Sequence, residues 1–216
     1  QYCAYPDFGI IDKFNGKRKY AAFPNGIGWG KVPYMQPGNY IIMRDMAKAH
    51  GLLARNKELA HASGKFQVAC YKEELEGILR TPSYSGYQLL DLHDYLGQGG
   101  ALIGVLDAFW EDKGYVTPAE FKRFNNTTVP LIRLKDRIFT TGQTLTASAE
   151  VVNYGPAALK SITPAWRILN SSGKSVMNGN LATTDIARGS GQVLGTITAA
   201  LSSLPAPAAY SVVLEL

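Results

Sequence analysis

The sequence predicts an α/β portion followed by an all-β portion, with the change near residue 130. Three observations predict it. Residues 39–80 carry apolar side chains at helical spacing. They lead into an aromatic and aliphatic run at 87–92 that reads as a buried strand, and one helix feeding one strand is a single αβ step of a barrel or doubly wound sheet. Beyond Val129-Pro130 the chain turns to short alternating runs rich in Thr, Ser, Val and Ala, the pattern of a small β-sandwich. The expected division is 1–130 and 131–216.

Taken in order, residues 1–38 look mostly irregular, because Gly, Pro and Asn interrupt them repeatedly. Seven of their aromatics (Tyr2, Tyr5, Phe8, Phe14, Tyr20, Phe23 and Trp29) argue against disorder and for either a cleft wall or a loop packed over a core. Residues 39–53 read as a helix capped by Asn39, with Ile41, Ile42 and Met46 on its apolar face and Gly51 at its end. Residues 57–80 read as a longer helix. Its stripe begins at Leu59, Ala62, Phe66, Ala69 and Cys70 and continues through Tyr71, Leu75, Ile78 and Leu79. Glu73, Glu74 and Glu76 form a solvated face, and Thr81-Pro82 stops the helix. The run 87–92 ends in Asp91, His93 and Asp94, followed by a glycine-rich turn at 97–100 and an apolar run at 101–110. Thr117-Pro118-Ala119-Glu120 is a helix start of the capping-box kind. In the second half, strands are expected at 145–152, 165–169, 192–197 and 210–216, with Val151, Trp166 and Ile168 in the core.

Composition excludes several function classes. Hydrophobic content of 46% and charged content of 18% are those of an ordinary globular protein. No apolar run reaches the roughly 20 residues that span a bilayer. The net charge of +5 is scattered apart from Lys17-Arg18-Lys19, so a nucleic-acid footprint is weak. Cys3 and Cys70 form no CxxC pair and read as buried free thiols; nothing local supports a bridge between them. Three distant histidines give no zinc spacing, and Asp112-x-Lys-Gly lacks the ligands of a calcium loop, so no metal is expected. The opening Gln1-Tyr2-Cys3-Ala4-Tyr5-Pro6 has neither an initiator Met nor a basic leader, and reads as a processed or excised piece.

A strand ending in convergent polar groups is how α/β barrels build sites, at the mouth where the βα loops gather. The competing reading makes Asp91 and Asp94 turn caps and His93 a structural histidine. The stretch Ser85-Gly86-Tyr87-Gln88-Leu89-Leu90-Asp91-Leu92-His93-Asp94 resembles the eighth barrel strand of glycoside hydrolase family 2, which includes β-galactosidases and β-glucuronidases. The opening six residues resemble the segment after the seventh strand in Bacteroides-type members, where His-Glu-Ile-Gly precedes such a Gln. Stretches at 102–110 and 115–121 are also similar to such proteins, so the resemblance covers nearly the whole chain.

The resemblance implies the C-terminal portion of a TIM barrel followed by an immunoglobulin-like β-sandwich, from a retaining β-glycosidase that needs no cofactor. Retaining glycosidases use two carboxylates about 5–5.5 Å apart. The family's two catalytic glutamates lie at the fourth and seventh strands and have no counterpart here, so no catalytic residue is assigned. Leu90 stands where the family usually has a sugar-lining Trp; Tyr2, Tyr5, Trp29 and Tyr95 are candidates to replace it. The expected substrate-binding residues are Tyr2, Tyr5, Asp91, His93, Asp94 and Tyr95. The expected partners are a carbohydrate substrate and the rest of the parent barrel, with no nucleic acid and no membrane. The isolated chain is expected to be inactive and to self-associate, and the parent to be periplasmic or secreted in a bacterium. The alternative is a non-catalytic carbohydrate-binding or scaffold module.

Overall fold

The computed structural model describes residues 2–14, 38–95 and 101–216. The Lys17-Arg18-Lys19 cluster, the aromatics Tyr20, Phe23 and Trp29, and the 97–100 turn lie outside the described residues. The chain divides into two units, one of Gln1–Glu73 with Gln88–Phe121 and one of Glu74–Tyr87 with Lys122–Leu216.

In the first unit the regular elements are helical: α1 (Ile10–Phe14), α2 (Gly38–Ala49), the first turns of α3 (Asn56–Leu79) and the short α4 (Pro118–Phe121). The start of α4 is a capping box: Thr117 N–H donates to Glu120 Oε2 (2.8 Å) and Glu120 N–H donates back to Thr117 Oγ1 (3.2 Å). Apart from a 3-10 turn at Leu53–Arg55, the remaining described segments are irregular chain, and an irregular chain inside a fold must find partners for its peptide groups. Helix α3 supplies many of them. Asn56 Nδ2 donates to Pro6 O (2.7 Å), and its Oδ1 accepts from Phe8 N–H (3.0 Å). Ser63 Oγ accepts from Tyr5 N–H (2.8 Å). Gln67 Nε2 donates to Tyr2 O and to Ile103 O, and Tyr71 OH also reaches Ile103 O (2.8 Å).

The inward face of α3 is therefore Asn56, Ala60, Gly64, Gln67 and Tyr71, continuing into Leu75 and Leu79. The expected stripe holds for Tyr71, Leu75 and Leu79 and fails before them: Phe66 is 71% exposed, and Ala62 and Ala69 also face solvent. Hydrophobic spacing picked the wrong side there because the packed side is polar and small. Gly64 is required by a close approach, since a Cβ would lie 2.3 Å from the Tyr115 ring. Helix α2 departs in the same way. It begins at Gly38, buries Tyr40 and Ala47, and leaves Ile42 and Met46 exposed.

The expected buried strand at 87–92 is not one. These residues are irregular, and Tyr87, Leu90 and Leu92 are exposed. A strand needs a neighbour for its peptide groups. Among the described residues, ladder-like contacts begin only at the end of this stretch: Leu92 O accepts from Val105 and Leu106 N–H, and His93 bridges Leu106 in parallel. Cys3 is exposed and Cys70 half-buried, both free, so neither is the buried thiol expected.

The second unit is built of antiparallel sheet. Its strands are β1 (Thr128–Leu134), β2 (Thr144–Asn153), β3 (Leu159–Ile162), β4 (Ala165–Asn170), β5 (Ser175–Asn180), β6 (Thr184–Ile186), β7 (Gly189–Ala200) and β8 (Tyr210–Glu215). They form sheets ordered β1-β2-β7, β3-β6 and β5-β4-β8. One apolar cluster is shared by all three, with Leu145, Ala149, Val151, Trp166, Ile168, Ile186, Ile197 and Leu214 buried in it, as a β-sandwich requires. The expected core residues Val151, Trp166 and Ile168 are all there. The second face of β2 is covered too, where Val152 joins Val129, Leu131 and Leu79. That explains why β2 is buried without alternation from Val151 to Asn153. Pro130 lies inside β1, which among the described residues pairs only with β2, and an edge strand is where proline is tolerated.

Candidate functional site

The first unit holds a cavity of about 380 Å³ lined by Tyr5, Asp7, Lys13, Tyr40, Lys57, His61, Asp94, Asp107, Asp112, Lys113 and Tyr115, with a few aliphatic neighbours. One of its lining residues, Asp94, sits beside a close crossing of two backbone segments. A Cβ on Gly104 would lie 2.3 Å from His93 Cα and 2.4 Å from His93 C, so only glycine fits there. Asp94 N–H donates to Leu106 O (3.0 Å), and Gly104 N–H donates to Asp94 Oδ1 (2.9 Å). Asp94 is thereby fixed at 2% exposure, with Lys113 Nζ 2.6 Å from its Oδ2. Lys113 also donates to Gly104 O (2.8 Å).

Burial sets the electrostatics. It raises the Asp94 carboxyl above the usual carboxylate range, although Lys113 and the Gly104 N–H pull it back. It lowers the Lys113 ammonium, against the pull of Asp94. A second pair lies on the same wall. Lys13 bonds Asp107, and it bonds Glu111 at 2.8 Å. Burial alone would lower Lys13, but these two carboxylates hold it above its ordinary value. The Tyr40 phenol is pushed up by burial and then by the negative field of Asp94 and Asp107. Tyr115 is pushed up to about 12 by burial, then by Asp94 and Asp7. Both phenols stay neutral at physiological pH, the form whose O–H can donate.

Of the residues expected from sequence, Tyr5 and Asp94 line this cavity and the other four do not. Tyr2 packs edge-on against Tyr71 at 5.4 Å. Asp91 is half-buried with a left-handed backbone, φ 67°. His93 Nδ1 donates to Asp94 O (2.6 Å), and its ring lies 4.1 Å from that of Trp110. The backbone of Tyr95 pairs with Ala101. Sequence reasoning missed Lys13, Tyr40, His61, Asp107, Lys113 and Tyr115. They come from five separated segments, and no local spacing joins them.

Chemically, the cavity presents carboxylates that accept, ammoniums and phenols that donate, and aromatic walls. That suits a small polyhydroxylated ligand, and the volume lies within the range of small-molecule pockets. Among the described residues, no group of three or more His, Cys, Asp or Glu is arranged to hold a metal ion. No helix among them is long and apolar enough to cross a membrane.

Comparison with known proteins bears on the second unit alone. Residues 143–216 match the model of a family described as a domain of unknown function, DUF8488. No curated protein matches the chain. The matched segment runs from just before β2 to the end of β8, and the cavity lies in the part of the chain outside it.

Proposed function

We propose that the chain is the C-terminal part of a family 2-like retaining β-glycosidase. In this reading residues 1–130 supply the last strand and helices of a TIM barrel and one wall of its sugar site, and residues 131–216 are a structural immunoglobulin-like sandwich. The observation that carries the reading is the cavity: Tyr5 and Asp94, nominated from sequence as sugar contacts, lie together on one polyol-suited pocket. The irregular stretch at 87–92, with Tyr87, Leu90 and Leu92 exposed, fits as well, since a last barrel strand loses its regular ladder when its neighbouring strands are absent.

In this reading neither catalytic glutamate belongs to the chain. Asp94 is committed to Lys113 and Gly104, so it holds the wall together and does not act on the anomeric carbon. The rest of the barrel is the chain's obligate partner, and the periplasm or cell exterior of a bacterium is its setting. The test is turnover of aryl β-glycosides by the full-length parent and by the 216-residue chain side by side. Parent turnover with an inert chain is expected. An inert parent, or a chain whose turnover survives removal of contaminating enzymes, overturns the proposal.

A further inference from the structure

Most of the polar groups that line the cavity are engaged with groups of the chain itself. Asp94 and Lys113 bond each other, Gly104 N–H holds the other oxygen of Asp94, and Lys13 takes Asp107 and Glu111. Asp7 and Asp112, nearer solvent, each accept from the amide two residues on, at Gly9 (2.9 Å) and Gly114 (2.7 Å). Tyr115 is different. It is 7% exposed, yet among the described residues its phenol oxygen bonds to no other group.

A buried hydroxyl without a partner forfeits the hydrogen bonds that water would give it. Among the described residues, the buried side-chain atoms sealed away without a partner are Gln67 Oε1 and Arg167 Nε, and the Tyr115 oxygen is not one of them. It therefore touches open space, and the open space beside this residue is the cavity it lines. The ring is fixed at its other end. A Cβ on Gly64 of α3 would meet Cγ, Cδ1 and Cδ2 of Tyr115 at 2.3–2.4 Å, so the ring lies directly on the helix backbone with its hydroxyl at the far end. His61, one turn earlier on α3, meets the ring edge-on at 6.4 Å, and Lys113 Nζ stands 5.6 Å from its centroid. The charges that act on the phenol, Asp94 and then Asp7, both line the cavity.

We propose that the Tyr115 O–H is the fixed, buried donor by which the cavity reads one hydroxyl of its ligand, a sugar hydroxyl whose oxygen accepts from it. The unpaired O–H asks for an acceptor. An apolar ligand leaves it unpaired, and a carboxylate or phosphate would have to enter beside the charges of Asp7 and Asp94. A neutral hydroxyl meets neither obstacle. A site that holds such a donor in place rejects the analogue lacking the matching oxygen. The proposal deepens the glycan reading and rests on it.

The experiment is an NMR titration of the 216-residue chain, with its tyrosine rings and backbone amides observed, against methyl β-glucopyranoside and methyl β-galactopyranoside. The expected result is a shift of the Tyr115 ring and the Gly64 amide by at least one sugar, with a Kd of about 1 mM or weaker. Tyr115→Phe, which keeps the ring on Gly64, should weaken that binding about three- to tenfold. The 2-, 3-, 4- and 6-deoxy analogues of the tighter glycoside are then titrated into both chains. One of them should bind the unaltered chain more weakly and lose nothing further in Tyr115→Phe, while the others still lose. A role confined to packing would weaken every analogue by the same factor, and that result overturns the proposal. So do unweakened binding by Tyr115→Phe and a silent Tyr115 ring at roughly 100 mM sugar, about a hundredfold above that Kd. The ring-signal arm uses the unaltered chain, so it decides the matter even if the variant does not fold. Parent turnover with a silent Tyr115 sinks this inference alone. Sugar binding at Tyr115 with an inert parent sinks the hydrolase reading alone.

Discussion

The two units hold themselves together by different physics. In the second unit twelve buried, almost wholly apolar residues form one cluster, and the backbone is satisfied by antiparallel ladders. In the first, the apolar cluster of buried residues among those described is five strong, and the work of satisfying irregular backbone falls to side chains: Asn56, Ser63, Gln67, Tyr71, Asp94 and Asp107. It also leaves Ile42, Met46, Phe66, Leu90, Leu92 and Trp110 exposed. The second unit also leaves large apolar side chains in water, at Ile138 (91% exposed) and Val193 (68%); in the reading proposed above, those of the first unit are where the rest of the barrel would pack.

The largest effect that would sharpen this contrast is at the buried ion pair. Lys113→Met leaves the Asp94 carboxylate without its cation and should cost about 3–5 kcal/mol, while Asp94→Asn combined with Lys113→Met should recover much of the loss. In the second unit Ile168→Ala should cost about 2–5 kcal/mol through an apolar cavity alone, with no rescue available from a polar partner. Urea unfolding of the four proteins checks both. If Lys113→Met proves as mild as an exposed substitution, the polar account of the first unit is broken.

Next in size is Gly104→Ala. The added methyl meets His93 backbone, which cannot rotate away as a side chain can. A loss of about 3 kcal/mol is expected. Amide exchange at Val105 and Leu106 should lose protection while Val151 and Ile197 in the β2–β7 ladder keep theirs. Unchanged protection at Val105 and Leu106 would mean that the 92–95 and 104–106 segments do not meet as described.

How much of this was legible in the sequence follows the same division. Strands β2, β4, β7 and β8 show alternation bounded by turn residues, and the apolar core they share follows from it. Strands β1, β3, β5 and β6 escaped notice for identifiable reasons. Pro130 inside β1 reads as a break, β3 and β6 are short, and Val176-Met177-Asn178-Gly179 in β5 looks like a turn. In the first unit periodicity misled, because it reports only apolar faces and the packed face of α3 carries Asn56, Gly64 and Gln67. Asp94 was nominated because polar groups ending an apolar run stand out locally, and Tyr5 because the opening residues resemble a family segment. Lys13, Tyr40, Asp107 and Lys113 were not, since only the folded chain gathers them.

A smaller effect separates the units by pH. The folded-state values of Tyr40 and Tyr115 lie above the unfolded phenol value of about 10, so the folded chain favours their neutral forms. The stability they contribute is complete below pH 10 and falls as pH rises through about 12. The urea midpoint should drop across that window, and Tyr40→Phe with Tyr115→Phe should flatten the drop. An equally steep drop in the double variant would remove these phenols from the account.

The most direct test of the central claim, that this chain supplies part of a sugar site it cannot operate alone, is kcat/KM of the full-length parent on an aryl β-glycoside with Tyr5→Ala or His61→Ala, two substitutions in the cavity lining. Each variant is expected to lose at least roughly tenfold, about 1.4 kcal/mol of transition-state binding, while remaining folded. Wild-type kcat/KM in both variants would contradict the claim.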